Sequence, residues 1–150
     1  MKPISEVVGE RPLYAITPHV TVTEAARYMV EKNIGALPVV QENRLVGIFT
    51  ERDALVRVIA KGLNPSETRI SAVMTKAVVV AKANENVESC LKKMKESHCR
   101  HLPILSGEQL IGLVSIRDLV STVGVEPDYL NTLISILRRE PPRDRGRGEI

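Results

Sequence analysis

The chain has 150 residues and a formal net charge of +3, with 43% hydrophobic and 3% aromatic residues. This length suits one domain of about 100–200 residues, and the hydrophobic share is enough for a core and too high for a disordered chain. The shortage of aromatic residues argues against single-stranded nucleic-acid binding by base stacking. Five arginines lie between residues 138 and 147, so the body of the chain is near neutral and the overall basic charge is weak support for a nucleic-acid surface.

The cysteines and the hydropathy predict a cytoplasmic protein without membrane contact. Cys90 and Cys99 form neither a CxxC pair nor a disulfide framework, which is typical of a reducing compartment. No apolar run approaches the roughly 20 residues that a membrane span needs. The first six residues lack the apolar segment of a signal peptide.

One short motif occurs twice, at an offset of 65 residues. It runs from Gly47 to Asp53 and again from Gly112 to Asp118, each time as an apolar run, a hydroxyl residue and Arg-Asp, with a second apolar run after it. This pattern is typical of a strand leading into a helix whose N-cap is the hydroxyl residue. We call each copy a corner. A helix N-terminus suits a phosphate, so the corners are candidate nucleotide-binding sites.

The repetition extends well beyond the corners. The segment 37–40 returns as 102–105, and the short apolar turn 4–8 returns as 70–74. We therefore predict a tandem duplication rather than a solenoid, which would need three or more units. The predicted parts are unit one (4–62), a linker rich in turn-forming residues (63–69) and unit two (70–124).

Each unit reads as a strand, a helix, a two-stranded hairpin and a second helix. Thr21 or Thr23 caps the first helix of unit one, and Asn33 and Gly35 end it. The predicted segments of unit one are a strand or extended segment at 14–18, strands at 36–40 and 45–49, and a last helix at 53–61. Those of unit two are strands at 78–81, 102–105 and 109–114, and a last helix at 118–123.

The repeat stops after residue 124. Leu130, Leu133, Ile134 and Leu137 then form an apolar helical stripe, which predicts a C-terminal helix over 125–140. The segment 141–150, rich in Arg, Gly and Pro, predicts a disordered basic tail.

A small sheet cannot bury both of its faces alone, but two such units can pack sheet against sheet. We therefore predict an α/β (α+β) fold of two βαββα units with pseudo-two-fold symmetry, plus the C-terminal helix. Such packing leaves a cleft with two pseudo-equivalent sites between the units.

The Leu-Pro strand, the short hairpin and the doubled Gly-x-x-Thr/Ser-x-x-Asp corner resemble a pair of CBS motifs, also called a Bateman module. The resemblance covers residues 4–124. It implies a stand-alone regulatory module that binds adenosyl ligands, namely AMP, ADP, ATP, S-adenosylmethionine or, in some members, NAD or diadenosine compounds. It also implies a flat, disk-like homodimer.

The resemblance further implies that each site joins the corner of one unit to the early strands of the other. The first site would use Ser115, Arg117 and Asp118 for ribose and phosphate, with Thr17, Ile34, Gly35 and Ala36 around the adenine. The second would use Thr50, Arg52 and Asp53, with Val80, Ala81, Lys82, Cys99, Arg100 and His101 around the base and phosphates. Lys82 stands where Thr17 stands in unit one, and this difference favours the first site.

Each feature also has a purely structural interpretation. Asp53 and Asp118 can serve a capping box instead of accepting hydrogen bonds from ribose hydroxyls. Arg52 and Arg117 can be solvated, although a cation in the first helical turn opposes the helix dipole, and this conflict favours an anionic ligand. The His98–His101 segment suggests a metal site, but successive strand side chains face opposite ways, so we predict none.

The sequence contains no catalytic constellation, so we predict that the protein is not an enzyme. The alternative function is an interaction module that binds no ligand and recruits a protein target through the C-terminal helix. A redox or metal response through Cys90 and Cys99 is a third hypothesis.

Overall fold

The computed structural model describes residues 2–122, and the predicted C-terminal helix (125–140) and basic tail (141–150) lie outside them. Unit one contains α1 (Ile4–Val8), α2 (Val22–Lys32), β1 (Ala36–Gln41), β2 (Arg44–Thr50), α3 (Glu51–Asp53) and a π-helix (Ala54–Ile59). Unit two contains α4 (Ile70–Val73), β3 (Ala81–Lys82), α5 (Val87–Ser97), β4 (His101–Ser106), β5 (Gln109–Ser115) and α6 (Ile116–Thr122).

Each unit is built on an antiparallel hairpin. β1 pairs with β2 from Ala36 opposite Thr50 to the turn, and β4 pairs with β5 from His101 opposite Ser115. The two units meet where β2 contacts β5, and an ion pair of 3.0 Å between Arg44 and Glu108 joins the two hairpins. The predicted α+β architecture of two related units is confirmed.

The first strand of unit two differs from the prediction. It was expected at 78–81, but only Ala81 and Lys82 pair with β4, in parallel, opposite Ile104 and Leu105. A run of valines predicts an extended chain without showing where a neighbouring strand begins. In unit one the corresponding segment forms a single parallel bridge between Ile16 and Val39.

The two long helices begin at side-chain caps. Thr21 forms a capping box with Glu24: the Glu24 N–H donates to Thr21 Oγ1 at 3.2 Å, and the Glu24 carboxylate accepts from the Thr21 N–H at 3.3 Å. The N-cap of α2 is therefore Thr21 and not Thr23. At α5 the Ser89 N–H donates to the Asn86 side-chain oxygen at 2.9 Å, so Asn86 is the N-cap. Both helices then end at left-handed residues, Asn33 and His98, a conformation common just after a helix.

The last helix of unit one is not the predicted α-helix over 53–61. It starts as α3 and continues as the π-helix, in which the Ala60 N–H donates to Leu55 O at 2.9 Å. An apolar pattern over six residues does not separate a 3.6-residue turn from a wider one. The wider turn still buries Val58 completely.

The short first helices are exchanged between the units. Ile4 and Val8 of α1 lie in the core of unit two, whereas Ile70 and Val73 of α4 lie in the core of unit one. The predicted ranges 4–62 and 70–124 are therefore sequence units, and each packed core takes its first helix from the other one.

The glycines of the two corners, Gly47 and Gly112, fit this exchange. A Cβ atom at Gly112 would lie 2.4 Å from Val8 Cγ1, and one at Gly47 would lie 2.6 Å from Met74 Sδ. Real Cβ atoms do not approach other heavy atoms so closely, so each glycine permits the contact between a strand and the exchanged helix.

We expect Gly112→Ala to destabilise the protein by about 1–3 kcal/mol through overpacking. Gly47→Ala should also be destabilising: the flexible Met74 can move away, but the backbone O of Thr75 would lie 3.0 Å from the new Cβ atom. Urea denaturation measures both changes. Adding Val8→Ala should recover part of the loss in Gly112→Ala, and the absence of any recovery would contradict this account.

Candidate functional site

Both corners form capping boxes. The Asp53 N–H donates to Thr50 Oγ1 at 3.2 Å, and the Thr50 N–H donates to Asp53 Oδ2 at 3.0 Å. In unit two the Asp118 N–H donates to Ser115 Oγ at 3.1 Å, and the Ser115 N–H donates to Asp118 Oδ2 at 2.8 Å. The structural interpretation of the motif is therefore confirmed, and it occupies one oxygen of each carboxylate.

The second carboxylate oxygens have different surroundings. Asp118 Oδ1 pairs with Arg11 Nη1 at 2.9 Å, and the Asp118 side chain is 30% exposed. Asp53 Oδ1 contacts Arg57 Nε at 3.5 Å and accepts from Thr75 Oγ1 at 3.3 Å, and its side chain is only 10% exposed. A ligand reaches the oxygen of Asp118 more easily than that of Asp53.

Backbone hydrogen bonds place each corner against the first hairpin strand of its own unit. The Glu51 N–H donates to Gly35 O at 3.0 Å, and the Ile116 N–H donates to Arg100 O at 2.9 Å. Gly35 and Ala36 thus lie beside the Thr50 corner, and Arg100 and His101 lie beside the Ser115 corner. The grouping of each corner with the strands of the other unit stays a prediction.

The remaining predicted residues divide by exposure. Thr17, Arg52, Lys82 and Arg117 are exposed, whereas Ile34, Val80, Cys99, Arg100 and His101 are half-buried. Ala81 is fully buried in the core of unit two, so only its backbone can border a ligand.

A partly buried ion pair, which the sequence did not predict, holds the segment around Val80 and Lys82. The Glu85 carboxylate lies 2.8 Å from Lys93 Nζ and accepts from Ser89 Oγ at 2.6 Å and from the Lys82 N–H at 2.5 Å. Lys93 Nζ also donates to Val80 O at 2.9 Å. Glu85 precedes α5 and lies outside its helical pattern, so the spacing to Lys93 carries no signal.

This network sets two pKa values. Burial raises the pKa of Glu85, but the hydrogen bonds from Lys93, Ser89 and Lys82 and the charge of Lys93 outweigh it and hold the value at about 2. Burial, with a contribution from the Glu85 charge, raises the pKa of the Cys90 thiol to about 11. The Cys90 thiol therefore stays protonated at neutral pH, which disfavours it as a redox or metal-binding group.

Arg100 leaves one donor unsatisfied. Its Nε is buried and has no hydrogen-bond partner, the only such side-chain atom in residues 2–122. A buried donor without a partner costs about 1–3 kcal/mol, so an acceptor near Arg100 would be favourable.

The described residues include no group of three or more His, Cys, Asp or Glu that could hold a metal ion. In the His98–His101 segment, His98 is the left-handed residue that ends α5, whereas His101 begins β4. Between residues 2 and 122 we also find no helix of the length and apolarity that a membrane span requires.

The CBS domain model matches the chain twice, over residues 4–60 and 70–124. The protein belongs to the CBS-domain family. CBS-domain proteins are generally regulatory and non-catalytic, and this chain is a CBS pair, which is a regulatory module.

Two curated relatives are bacterial. Hypoxic response protein 1 of Mycobacterium tuberculosis is 34% identical over 102 residues, which cover 67% of this chain and 71% of the relative. The CBS domain-containing protein YhcV of Bacillus subtilis is 36% identical over 104 residues, which cover 69% of this chain and 74% of the relative.

Solved CBS structures share the fold. A signal-transduction protein with CBS domains from Burkholderia ambifaria has a TM-score of 0.76 and 35% identity, covering 81% of this chain and 93% of its own. The CBS pair of protein MJ0100 was solved in complex with 5-methylthioadenosine and S-adenosyl-L-methionine. It has a TM-score of 0.72 and 25% identity, and the match covers 81% of this chain and 95% of that structure.

We expect Glu85→Gln to lower stability at neutral pH by about 1–3 kcal/mol, because it removes a charge-assisted hydrogen-bond network. The folded-state pKa of Glu85 lies below its ordinary value of 4.5. Its stabilisation is therefore present above pH 4.5 and is lost as the pH falls towards 2. Thermal unfolding at several pH values measures the difference from the unmodified protein, which should shrink over that range.

The control is Glu88→Gln, which removes an exposed carboxylate three residues further on, in the first turn of α5. This variant loses only a favourable interaction with the helix dipole, so it should cost less than about 1 kcal/mol and much less than Glu85→Gln. A Glu85→Gln deficit that stayed constant down to pH 2 would show that the charge of Glu85 is not what stabilises the fold.

Proposed function

We propose that the protein is a non-catalytic sensor that binds an adenosyl ligand, AMP, ADP, ATP or S-adenosylmethionine, between its two CBS motifs. Occupancy of the cleft would act through the geometry of a homodimer. The ligand can shift that geometry only by the difference between its affinities for the two shapes. The complex of protein MJ0100 with two adenosyl compounds supports this ligand class.

The observation that carries the proposal is the state of the Asp118 carboxylate. Oδ2 is held by the capping box, so the carboxylate is oriented by the backbone of its own corner. Oδ1 is outside that box and is held by Arg11, a side chain that is itself 44% exposed. Vicinal ribose hydroxyls are good hydrogen-bond donors for such a carboxylate. When the ribose hydroxyls bind Asp118, Arg11 can turn away from the carboxylate and towards a phosphate of the ligand.

Cationic side chains near the same corner supply contacts for an anion. Arg117 is exposed in the first turn of α6, and Arg11 already contacts Asp118. Cationic groups at this corner favour a ligand with both hydroxyl and phosphate or carboxylate groups.

The two sites are proposed to differ in strength. The first comprises Ser115, Arg117, Asp118, Thr17, Ile34, Gly35 and Ala36. The second comprises Thr50, Arg52, Asp53, Val80, Ala81, Lys82, Cys99, Arg100 and His101. Asp53 is nearly buried and has two side-chain partners, and the Lys93–Glu85 pair occupies the Val80 carbonyl and the Lys82 N–H. These contacts make the second site the weaker one.

Calorimetric titration with AMP, ATP and S-adenosylmethionine tests the proposal. At about 100 times its dissociation constant, a ligand should stabilise the fold by about 2.7 kcal/mol, measured by thermal shift. Binding by none of the three would refute ligand sensing and leave the interaction module as the function.

Asn substitutions rank the two sites. An Asn side-chain oxygen can still accept the capping hydrogen bond, whereas the negative charge is lost. We expect Asp118→Asn to weaken binding at least about tenfold, since a hydrogen bond to a charged group contributes about 1.5–3 kcal/mol. Asp53→Asn is the matched control and should weaken it less. The reverse order would assign the ligand to the second site.

A further inference from the structure

The segment that follows the exchanged helix α1 reaches the Ser115 corner of unit two. It brings Arg11 there, whose Nη1 lies 2.9 Å from Asp118 Oδ1. The backbone N–H and Nε of Arg11 both donate to Val8 O at 3.3 Å, and Val8 is buried in the core of unit two. The Arg11 side chain is therefore anchored at its base, although it is 44% exposed.

The same segment continues into unit one. The Ile16 N–H donates to Pro38 O in the hairpin of that unit, at 3.0 Å. Thr17, the residue predicted beside the adenine of the first site, follows directly. The stretch 11–17 thus connects the Asp118 carboxylate with the early strands of unit one, which supports the grouping of these two regions in one site.

Unit one has a different arrangement at its own corner. Thr75 follows the other exchanged helix, α4, and its hydroxyl donates to Asp53 Oδ1 at 3.3 Å. The arginine that also contacts Asp53 is Arg57, at 3.5 Å, and it belongs to the helix that the corner itself begins. The exchanged segment therefore brings a cation to Asp118 and a neutral hydroxyl to Asp53, so its charge is a property of the first site.

The ion pair of Arg11 competes with ribose for Asp118. The ribose hydroxyls would donate to Oδ1, the oxygen that Arg11 holds. Their binding separates the guanidinium from its carboxylate, and a phosphate then offers the guanidinium a bidentate anionic partner. Adenosine has no charge to offer, and S-adenosylmethionine carries a sulfonium cation at the 5′ position, where a nucleotide carries its phosphate. Neither compound replaces the partner that Arg11 loses.

We propose that Arg11 determines the specificity of the first site, by disfavouring adenosyl compounds without a phosphate and admitting nucleotides such as AMP and ATP. Arg11 covers Asp118 Oδ1 in the free protein and contacts the phosphate in the complex. The inference rests on the proposed function and narrows its ligand class to nucleotides.

Calorimetric titration of the full 150-residue chain with AMP, adenosine and S-adenosylmethionine tests the inference. The unmodified protein should bind AMP at least about tenfold more tightly than the other two compounds. Arg11→Gln removes the cation, so adenosine should bind this variant more tightly than it binds the unmodified protein. The preference for AMP over adenosine should fall about tenfold or more.

A double-mutant cycle shows whether Arg11 acts through Asp118. Asp118→Asn keeps an acceptor for the capping hydrogen bond, but it leaves no negative charge for Arg11 to hold. In this background Arg11→Gln should no longer improve adenosine binding, because the two residues are coupled. An equal improvement with and without Asp118→Asn would overturn the inference.

Two other arginines provide controls. Arg44→Gln breaks the 3.0 Å ion pair with Glu108 at the hairpin turns and should leave all three affinities unchanged. Arg117→Gln removes an exposed cation from the same corner but keeps the Arg11 ion pair, so it should weaken AMP binding without improving adenosine binding. If Arg117→Gln improved adenosine binding as much as Arg11→Gln, the overall charge of the corner would set the preference, and the inference would be overturned.

Arg11→Lys separates specificity from a structural role. Lys retains the cation without the planar fork of Arg, so this variant should keep part of the preference for AMP. Thermal unfolding of both Arg11 variants measures any loss of stability. Equal weakening of all three ligands in Arg11→Gln and Arg11→Lys would give Arg11 a structural role alone and would overturn the inference.

The titration of the unmodified protein also separates this inference from the proposed function. Equal affinity for AMP, adenosine and S-adenosylmethionine would overturn the role of Arg11 and leave adenosyl sensing intact. Binding of none of the three would refute the proposed function and the specificity together.

Discussion

The structure depends on the close contact between each exchanged first helix and a glycine of the opposite strand pair. Val8 reaches Gly112 and Met74 reaches Gly47, at distances that a larger residue would prevent. Through these contacts each unit completes the hydrophobic core of the other. The two hairpins are thereby held together, and the corners that begin at the same glycines are fixed in relation to both cores.

Each corner performs two tasks with one carboxylate. One oxygen satisfies backbone N–H groups at the start of a helix, which orients the side chain, and the other oxygen contacts neighbouring side chains. The structural and the functional interpretation of the motif are therefore compatible. Asp118 and Asp53 differ in what surrounds the second oxygen, and this difference, rather than the motif itself, distinguishes the two corners.

The repeat, the caps and the alternation of helices and strands could be predicted from the sequence, because they depend on local patterns such as the Thr21 cap and the doubled corner. The exchange of α1 and α4 could not, because apolar residues such as Ile4 and Ile70 do not specify which core buries them. The Glu85–Lys93 and Arg11–Asp118 pairs join side chains that no helical or strand period relates. The π-helix shares its apolar residues with an ordinary helix, so its wider turn was missed.

The exchanged helices also limit what one unit can do alone. A single unit of this kind has a core that its own first helix does not fill, so it can close that core only with the first helix of another unit. The tandem repeat supplies that helix within one chain. Its two copies are therefore unequal partners of one another, with different residues at equivalent positions such as Ala26 and Leu91, or Thr17 and Lys82.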